Sequence, residues 1–252
     1  MKKIIIYAVM LLVTVAASAS NGSLERWDSG NKAYIDGEYK KAVEEYSAIL
    51  DGGEYSAHLY FNLANAYFKQ EMIGKAILYY NKALRIDPSD DDIRHNLSMA
   101  EAQTKDRIIA IPEFFLKRWV RTVRSAMSCT AWSVWSLVSF ALTLVFGVLF
   151  LLASGIKARK AGFFCAMCMG LLFVVTTLFA VSSRSVMLNH DEAVVMSSAI
   201  SVKSSPDRSA TDLFVLHEGT KVEVLSQMGE WSEIAIADGK KGWCEAKQIE
   251  EI

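Results

Sequence analysis

The chain has 252 residues, of which 52 % are hydrophobic and 22 % charged, with a formal net charge of −1 and a mean hydropathy of +0.21. A balance so near neutrality excludes a globally basic nucleic-acid binder, and four cysteines are too few for a disulfide framework. High apolar content beside ample charge requires the apolar residues to be gathered in blocks, which excludes one ordinary soluble domain.

The first block is MKKIIIYAVMLLVTVAASAS. Lys2 and Lys3 supply a positive start, Ile4 to Ala17 an apolar run too short to span a bilayer comfortably, and Ala17-Ser18-Ala19 a small-residue cleavage site. This predicts a secretory signal peptide over 1–19, with an uncleaved anchor helix as the alternative. No Cys follows the apolar run, so a lipoprotein anchor is not expected. In either case the residues that follow are exported.

Residues 23–106 carry an internal repeat. Gly30-Asn31-Lys32-Ala33-Tyr34 lies 34 residues before Ala64-Asn65-Ala66-Tyr67-Phe68, and Gly37-Glu38-Tyr39 lies 34 before Glu71-Met72-Ile73. Ala42, Tyr46 and Leu50 match Ala76, Tyr80 and Leu84. Apolar residues recur at three and four spacings, which predicts two amphipathic helices per repeat. Tyr60, Leu63, Ala64, Tyr67, Ala76, Tyr80, Ala83 and Pro88 resemble the tetratricopeptide pattern over 57–90. The copy at 23–56 departs from it: Trp27 is one position late, Ile49 stands where a small residue is usual, and Gly52-Gly53 replace the Pro turn. Asp87-Pro88-Ser89-Asp90 ends the second hairpin, and a polar-backed capping helix is expected over about 91–105, within a 91–106 cap.

The tetratricopeptide resemblance implies a concave groove lined by the first helix of each repeat. On this chain those positions are Trp27, Asn31, Tyr34, Phe61, Asn62, Asn65, Phe68 and Lys69. In some such domains asparagines like Asn31 and Asn62 help clamp a peptide carboxylate. Here Trp27 stands where a Lys would be expected, and only Arg94 and His95 are available on the cap, so general protein binding is the reading taken. Core packing is the alternative role for the aromatics.

The segment 107–130 contains Phe115, Trp119, Val123 and Met127 on one stripe, flanked by Lys117, Arg121 and Arg124. It reads as a juxtamembrane amphipathic helix lying among headgroups, the alternative being a simple extension of the next helix. Residues 131–154 and 161–181 carry no charge and are long enough to cross a bilayer, joined by a short basic loop at 155–160. Trp132 and Trp135 are expected at the interface. Two crossings return the chain to its starting side, so both soluble parts are expected in the extracytoplasmic (periplasmic) compartment, at the inner membrane. Lys157, Arg159 and Lys160 agree with a cytoplasmic loop, whereas Lys117, Arg118, Arg121 and Arg124 pull the other way, and the signal peptide decides. Cys165 and Cys168 share a helical face. Packing with Gly162 and Gly170 is favoured over a redox pair, because a lipid-buried thiol resists ionisation.

Beyond Arg184 the pattern alternates. Short strands are predicted at 193–196, 200–203, 213–216, 221–225, 230–236 and 241–244, with a hairpin turn at Asp238-Gly239. The run ISVKSSPDRSATDLFVLHEGTKVEVLSQMGEWSEIAIADGKKGWCEAKQI resembles a bacterial SH3-like domain, here assigned to 187–252. Lys203 stands for a customary Arg and Cys244 for a customary Val. Such domains bind cell-wall peptides or protein segments, or act as spacers. Trp231 and Trp243 are therefore a possible binding face or, alternatively, core.

No catalytic residue, cofactor site or metal site is predicted. His58, His95, His190 and His217 are isolated in sequence, and no phosphate loop, nucleophile elbow or dinucleotide fingerprint occurs. The expected fold class is multidomain α plus β: α-helical tetratricopeptide hairpins, a two-helix transmembrane hairpin and a small SH3-like β-barrel. The whole layout resembles the E-type component of the Bacteroides aerotolerance (Bat) operons. That resemblance implies an envelope scaffold linked to oxygen or stress tolerance, beside von Willebrand A-domain membrane proteins and a MoxR-type ATPase. A non-enzymatic adaptor is expected, with protein partners and the lipid bilayer; a peptidoglycan-binding anchor or sensor is the alternative. No nucleic-acid partner is expected.

Overall fold

Small residues let the helices of the two repeats meet closely. The matching pair Ala42 and Ala76, together with Ala64 and Ala83 of the second repeat, is fully buried in a computed structural model that describes residues 22–189 and 191–252. The expected signal peptide lies outside the described residues, as does His190. Among the described residues there are eight helices followed by a seven-stranded antiparallel sheet.

The first four helices form two hairpins: α1 (22–35), α2 (Tyr39–Asp51), α3 (Ala57–Lys69) and α4 (Ile73–Ile86). Ser56 starts α3 by accepting the Leu59 N–H at 3.1 Å, a side-chain N-cap. Between α1 and α2 the chain turns through Gly37 at φ +79°, and 34 residues later Glu71 takes the same left-handed turn at φ +61°. Helix α5 (Asp91–Glu101) covers the second hairpin with Ile93, Leu97 and Ala100. It stops four residues before the expected end at 105. Gln103 and Lys105 suit a helix, but Ala102 to Thr104 close a turn instead, and the chain beyond is held by the sheet domain.

Helix α6 (Phe115–Arg124) is separate from α7 (Cys129–Leu152), so the segment does not simply extend the first apolar helix. Ser128 caps α7, accepting the Ala131 N–H at 3.2 Å. Helix α8 (Ile156–Leu188) is longer than the apolar run predicts. Lys157 to Lys160, expected as loop, are good helix formers and open α8, leaving 153–155 as the turn. Ring contacts pair Trp132 with Phe179, Phe140 with Phe173 and Phe150 with Phe163, so α7 and α8 are antiparallel. They approach closely at Gly162, where an added Cβ would lie 2.8 Å from the Phe150 nitrogen. Trp132 is buried against Phe179, and its ring N–H donates to the Arg124 carbonyl at 3.0 Å. Both helices are long and apolar enough to cross a membrane.

The strands are β1 (Glu192–Val195), β2 (Ala199–Lys203), β3 (Asp212–His217), β4 (Lys221–Met228), β5 (Trp231–Ala235), β6 (Lys241–Glu245) and β7 (Ile249–Glu251). Their order in the sheet is β3-β2-β6-β5-β4-β1-β7. Period-two alternation sends Val195, Ile200, Val202, Leu216, Val222, Ile234 and Cys244 into one core. Burial pushes the Cys244 thiol up to about 11, so it stays a neutral packing group.

The chain divides into two compact units. One gathers the described part of Met1–Ala83, Asp92–Ile109 and Asp191–Ile252; the other holds Leu84–Asp91 and Ala110–His190. The helical repeats and the sheet domain thus belong to one body.

Candidate functional site

The groove residues sit on α1 and α3, but the asparagines are committed to the array itself. The Tyr46 hydroxyl donates to Asn31 Oδ1 at 2.8 Å, and Asn62 Nδ2 donates to the same oxygen at 3.1 Å. One repeat on, the Tyr80 hydroxyl donates to Asn65 Oδ1 at 2.6 Å and Asn96 Nδ2 joins it at 2.9 Å. Each oxygen uses both lone pairs, so the first helices of successive repeats are braced together. Burial pushes the Tyr46 phenol up to about 12, against the hydrogen bond with Asn62, and also raises Tyr80. Both phenols therefore remain donors.

The aromatics divide. Trp27 packs on Tyr46 at 5.8 Å between ring centres, and Phe61, its equivalent, packs on Tyr80 at 6.0 Å. Tyr34 meets Tyr39 edge-on. Trp27, Tyr34, Phe61 and Phe68 are half-buried, and Lys69 is exposed. The rings thus keep part of their surface exposed beside Lys69, while the amides are committed to the array. Sequence reading missed Asn96, although it lies 34 residues after Asn62 and continues the same period onto the cap.

On the sheet domain, Trp231 and Trp243 are half-buried and outside the core, so the core alternative does not hold. Alternation explains this: Gly242 and Cys244 point inward, leaving Trp243 and Glu245 outward. The register sets Trp243 opposite Glu233 and Lys203, and Trp231 opposite Glu245. Lys203 donates to Asp212 at 2.8 Å and to the Ala210 carbonyl at 3.1 Å, closing the β2–β3 loop.

The repeats and the sheet domain meet along a seam that sequence reading did not find. Asp106 Oδ2 accepts the His217 backbone N–H at 2.7 Å and the Thr220 hydroxyl at 2.6 Å, while Oδ1 lies 2.7 Å from His217 Nδ1. His217 is therefore not isolated. Burial opposes the charge on Asp106, but the bonds from Thr220 and His217 outweigh it and hold the carboxyl below its ordinary range. Next to it, Glu218 accepts the Gly74 N–H at 3.0 Å at the start of α4. Gly219 turns at φ +84° with no room for a side chain: a Cβ there would lie 2.8 Å from Thr104 and 2.9 Å from Ile77. Ile108 packs against the sheet core, beside an open cavity of about 400 Å3 lined by 105–109 and β3.

Among the described residues no group of His, Cys, Asp or Glu could hold a metal ion. Cys165 is half-buried and Cys168 exposed, both as free thiols. These features define two binding modules fused into one body, attached to a pair of apolar helices. A family model for the tetratricopeptide repeat matches residues 57–90. Another, for the bacterial SH3 domain, matches residues 198–250. No curated protein matches the chain. The matched repeat suggests protein–protein interaction, and the matched SH3 domain suggests cell-wall binding.

Proposed function

We propose that this protein is a membrane-anchored envelope adaptor that holds a protein partner on the α1/α3 groove, with both modules in the extracytoplasmic space. The observation that carries this reading is the seam. It ties the repeats to the SH3-like domain, as suits a scaffold that must position a partner. The antiparallel α7–α8 pair supports placement of both modules on one side, because the chain enters and leaves that pair at the same end. The domain order supports a role in a Bat-type assembly, with von Willebrand A-domain membrane proteins as partners and tolerance of oxygen or stress as the outcome. The groove positions proposed for contact are Trp27, Tyr34, Phe61, Phe68 and Lys69, with Asn31, Asn62 and Asn65 holding the frame.

A second reading rests on Trp231 and Trp243, which lie outside the core on neighbouring strands. In it the SH3-like domain grips peptidoglycan and the protein is a wall anchor or sensor.

One experiment separates the two. A photoreactive residue replacing exposed Lys69 reports the groove's occupant without breaking the asparagine brace. Capture of a defined membrane protein in growing cells supports the adaptor. If position 69 captures nothing, while the full chain sediments with purified wall unless Trp231 and Trp243 are replaced by Ala, the wall reading replaces it.

A further inference from the structure

Helix α6 has a two-sided character that neither binding module explains. At 100° per residue, Phe115, Trp119, Val123, Leu116 and Val120 occupy one continuous arc of the helix. Arg124, Lys117, Arg121 and Arg118 occupy the arc opposite. No residue of α6 is buried, and Phe115 and Trp119 are 72 % and 60 % exposed. Phe115, Leu116, Trp119 and Val120 are exposed, Val123 is half-buried, and the Phe115 ring meets that of its neighbour Phe114. Four cations lie beside them, and Glu113 pairs with Arg121 at 2.7 Å.

The elbow after α6 is fixed. Ser125 closes the helix with its N–H on the Arg121 carbonyl at 2.9 Å, and the Trp132 ring N–H holds the Arg124 carbonyl. Only Ser125 to Ser128 separate α6 from the start of α7. A helix so close to an apolar span, separated from it by a fixed turn and cationic on one arc, cannot leave the headgroup zone if α7 crosses a bilayer. In that zone its apolar arc reaches the acyl boundary while the long Lys and Arg side chains extend back to phosphate.

We propose that α6 is an anionic-lipid-binding helix: its Phe115–Trp119–Val123 face inserts into the bilayer surface beside α7, and Lys117, Arg118, Arg121 and Arg124 bind the headgroups of acidic phospholipids. The charge complement selects lipid over a partner protein. Four cations around an apolar stripe match an acidic membrane surface, which supplies both anions and hydrocarbon in one place. This rests on the reading that α7 and α8 span a membrane.

The test uses the full chain reconstituted in vesicles whose acyl chains carry bromine, a short-range quencher of indole emission. The share of emission due to Trp119 is obtained by difference from Trp119→Phe. The share due to Trp135, which is 51 % exposed on α7, is obtained from Trp135→Phe. With phosphatidylglycerol present, Trp119 emission is expected to fall roughly twofold. That fall should shrink in pure phosphatidylcholine, and in a variant carrying Lys117→Gln, Arg118→Gln, Arg121→Gln and Arg124→Gln. Gln keeps helix propensity, so the variant removes charge and not structure. Trp135 should be quenched in every lipid. If Trp135 is quenched and Trp119 is not, or if Trp119 is quenched equally without acidic lipid and without the four charges, the inference is overturned and the spanning reading stands. If Trp135 escapes quenching, the spanning reading fails and the inference with it.

Discussion

Replacing Asp106 by Asn tests whether the seam joins the two modules. The carboxylate is 15 % exposed and receives three hydrogen bonds, from the His217 N–H, the Thr220 hydroxyl and the His217 ring. Asn keeps the shape, loses the charge, and turns one acceptor into a donor facing groups that also donate. A hydrogen bond to a charged group is worth about 1.5–3 kcal/mol, and three sharing one carboxylate are not additive. The expected loss is about 3 kcal/mol, which at about 1.4 kcal/mol per decade is on the order of a hundredfold in the opening equilibrium. Amide exchange in the detergent-solubilised full chain reads it directly. The His217, Thr220 and Gly74 amides should exchange about a hundredfold faster, while a surface control, Asp36→Asn, changes nothing. The pH dependence follows in sign. Asp106 has a folded value below its unfolded value of about 3.9. Its contribution is present above about pH 3.9 and is lost as pH falls from there through the folded value. The wild-type seam should therefore weaken in acid, and Asp106→Asn should flatten that slope. Unchanged exchange at His217 and Gly74 in the variant would refute the reasoning.

Three further outcomes are expected. Asn65→Ala removes the acceptor of Tyr80 and Asn96 and orphans a buried hydroxyl, costing about 2–3 kcal/mol in a denaturant titration; adding Tyr80→Phe should recover part of it. Glu71→Gly should stabilise the repeats by about 1 kcal/mol, because Glu71 holds φ +61° where its counterpart is Gly37, and a raised melting temperature checks it. Gly162→Val drives a side chain into the Phe150 backbone and should cost about 1–3 kcal/mol of α7–α8 association, read by unfolding in mixed detergent.

What could be read beforehand was whatever repeats or alternates. The 34-residue spacing exposes the hairpins because each turn of the array needs the same small residues, and period two exposes the strands. In sequence the placement of Trp243 stays open between face and core, and the alternation with inward Gly242 and Cys244 was the signal that could have decided it. The asparagine brace was half legible: Asn31 and Asn65 stand out, yet a groove position looks the same in sequence whether its amide faces a ligand or a neighbouring helix. The end of α5 was not legible, because Gln103 and Lys105 favour a helix and only the distant sheet holds the chain beyond them. The stacking of Trp132 on Phe179 was not legible for a related reason, because its partner comes from the other helix. Asp106 and His217 carried no signal at all, being 111 residues apart with both apolar helices between them.

That separation has an energetic consequence. Closing a free loop of about a hundred residues costs several kcal/mol of chain entropy by the logarithmic law, comparable to everything the Asp106 cluster contributes. The seam need not meet that cost alone, because α7 and α8 pair antiparallel and return the chain to the end it left. The flexible length to be closed is then the short connections on either side, so closure adds little once the helices have paired. The α7–α8 contact and the Asp106 seam are therefore thermodynamically linked. A substitution that parts the two helices, such as Gly162→Val, should also raise exchange at His217 although it touches neither module, and Asp106→Asn should reciprocally ease separation of the helices.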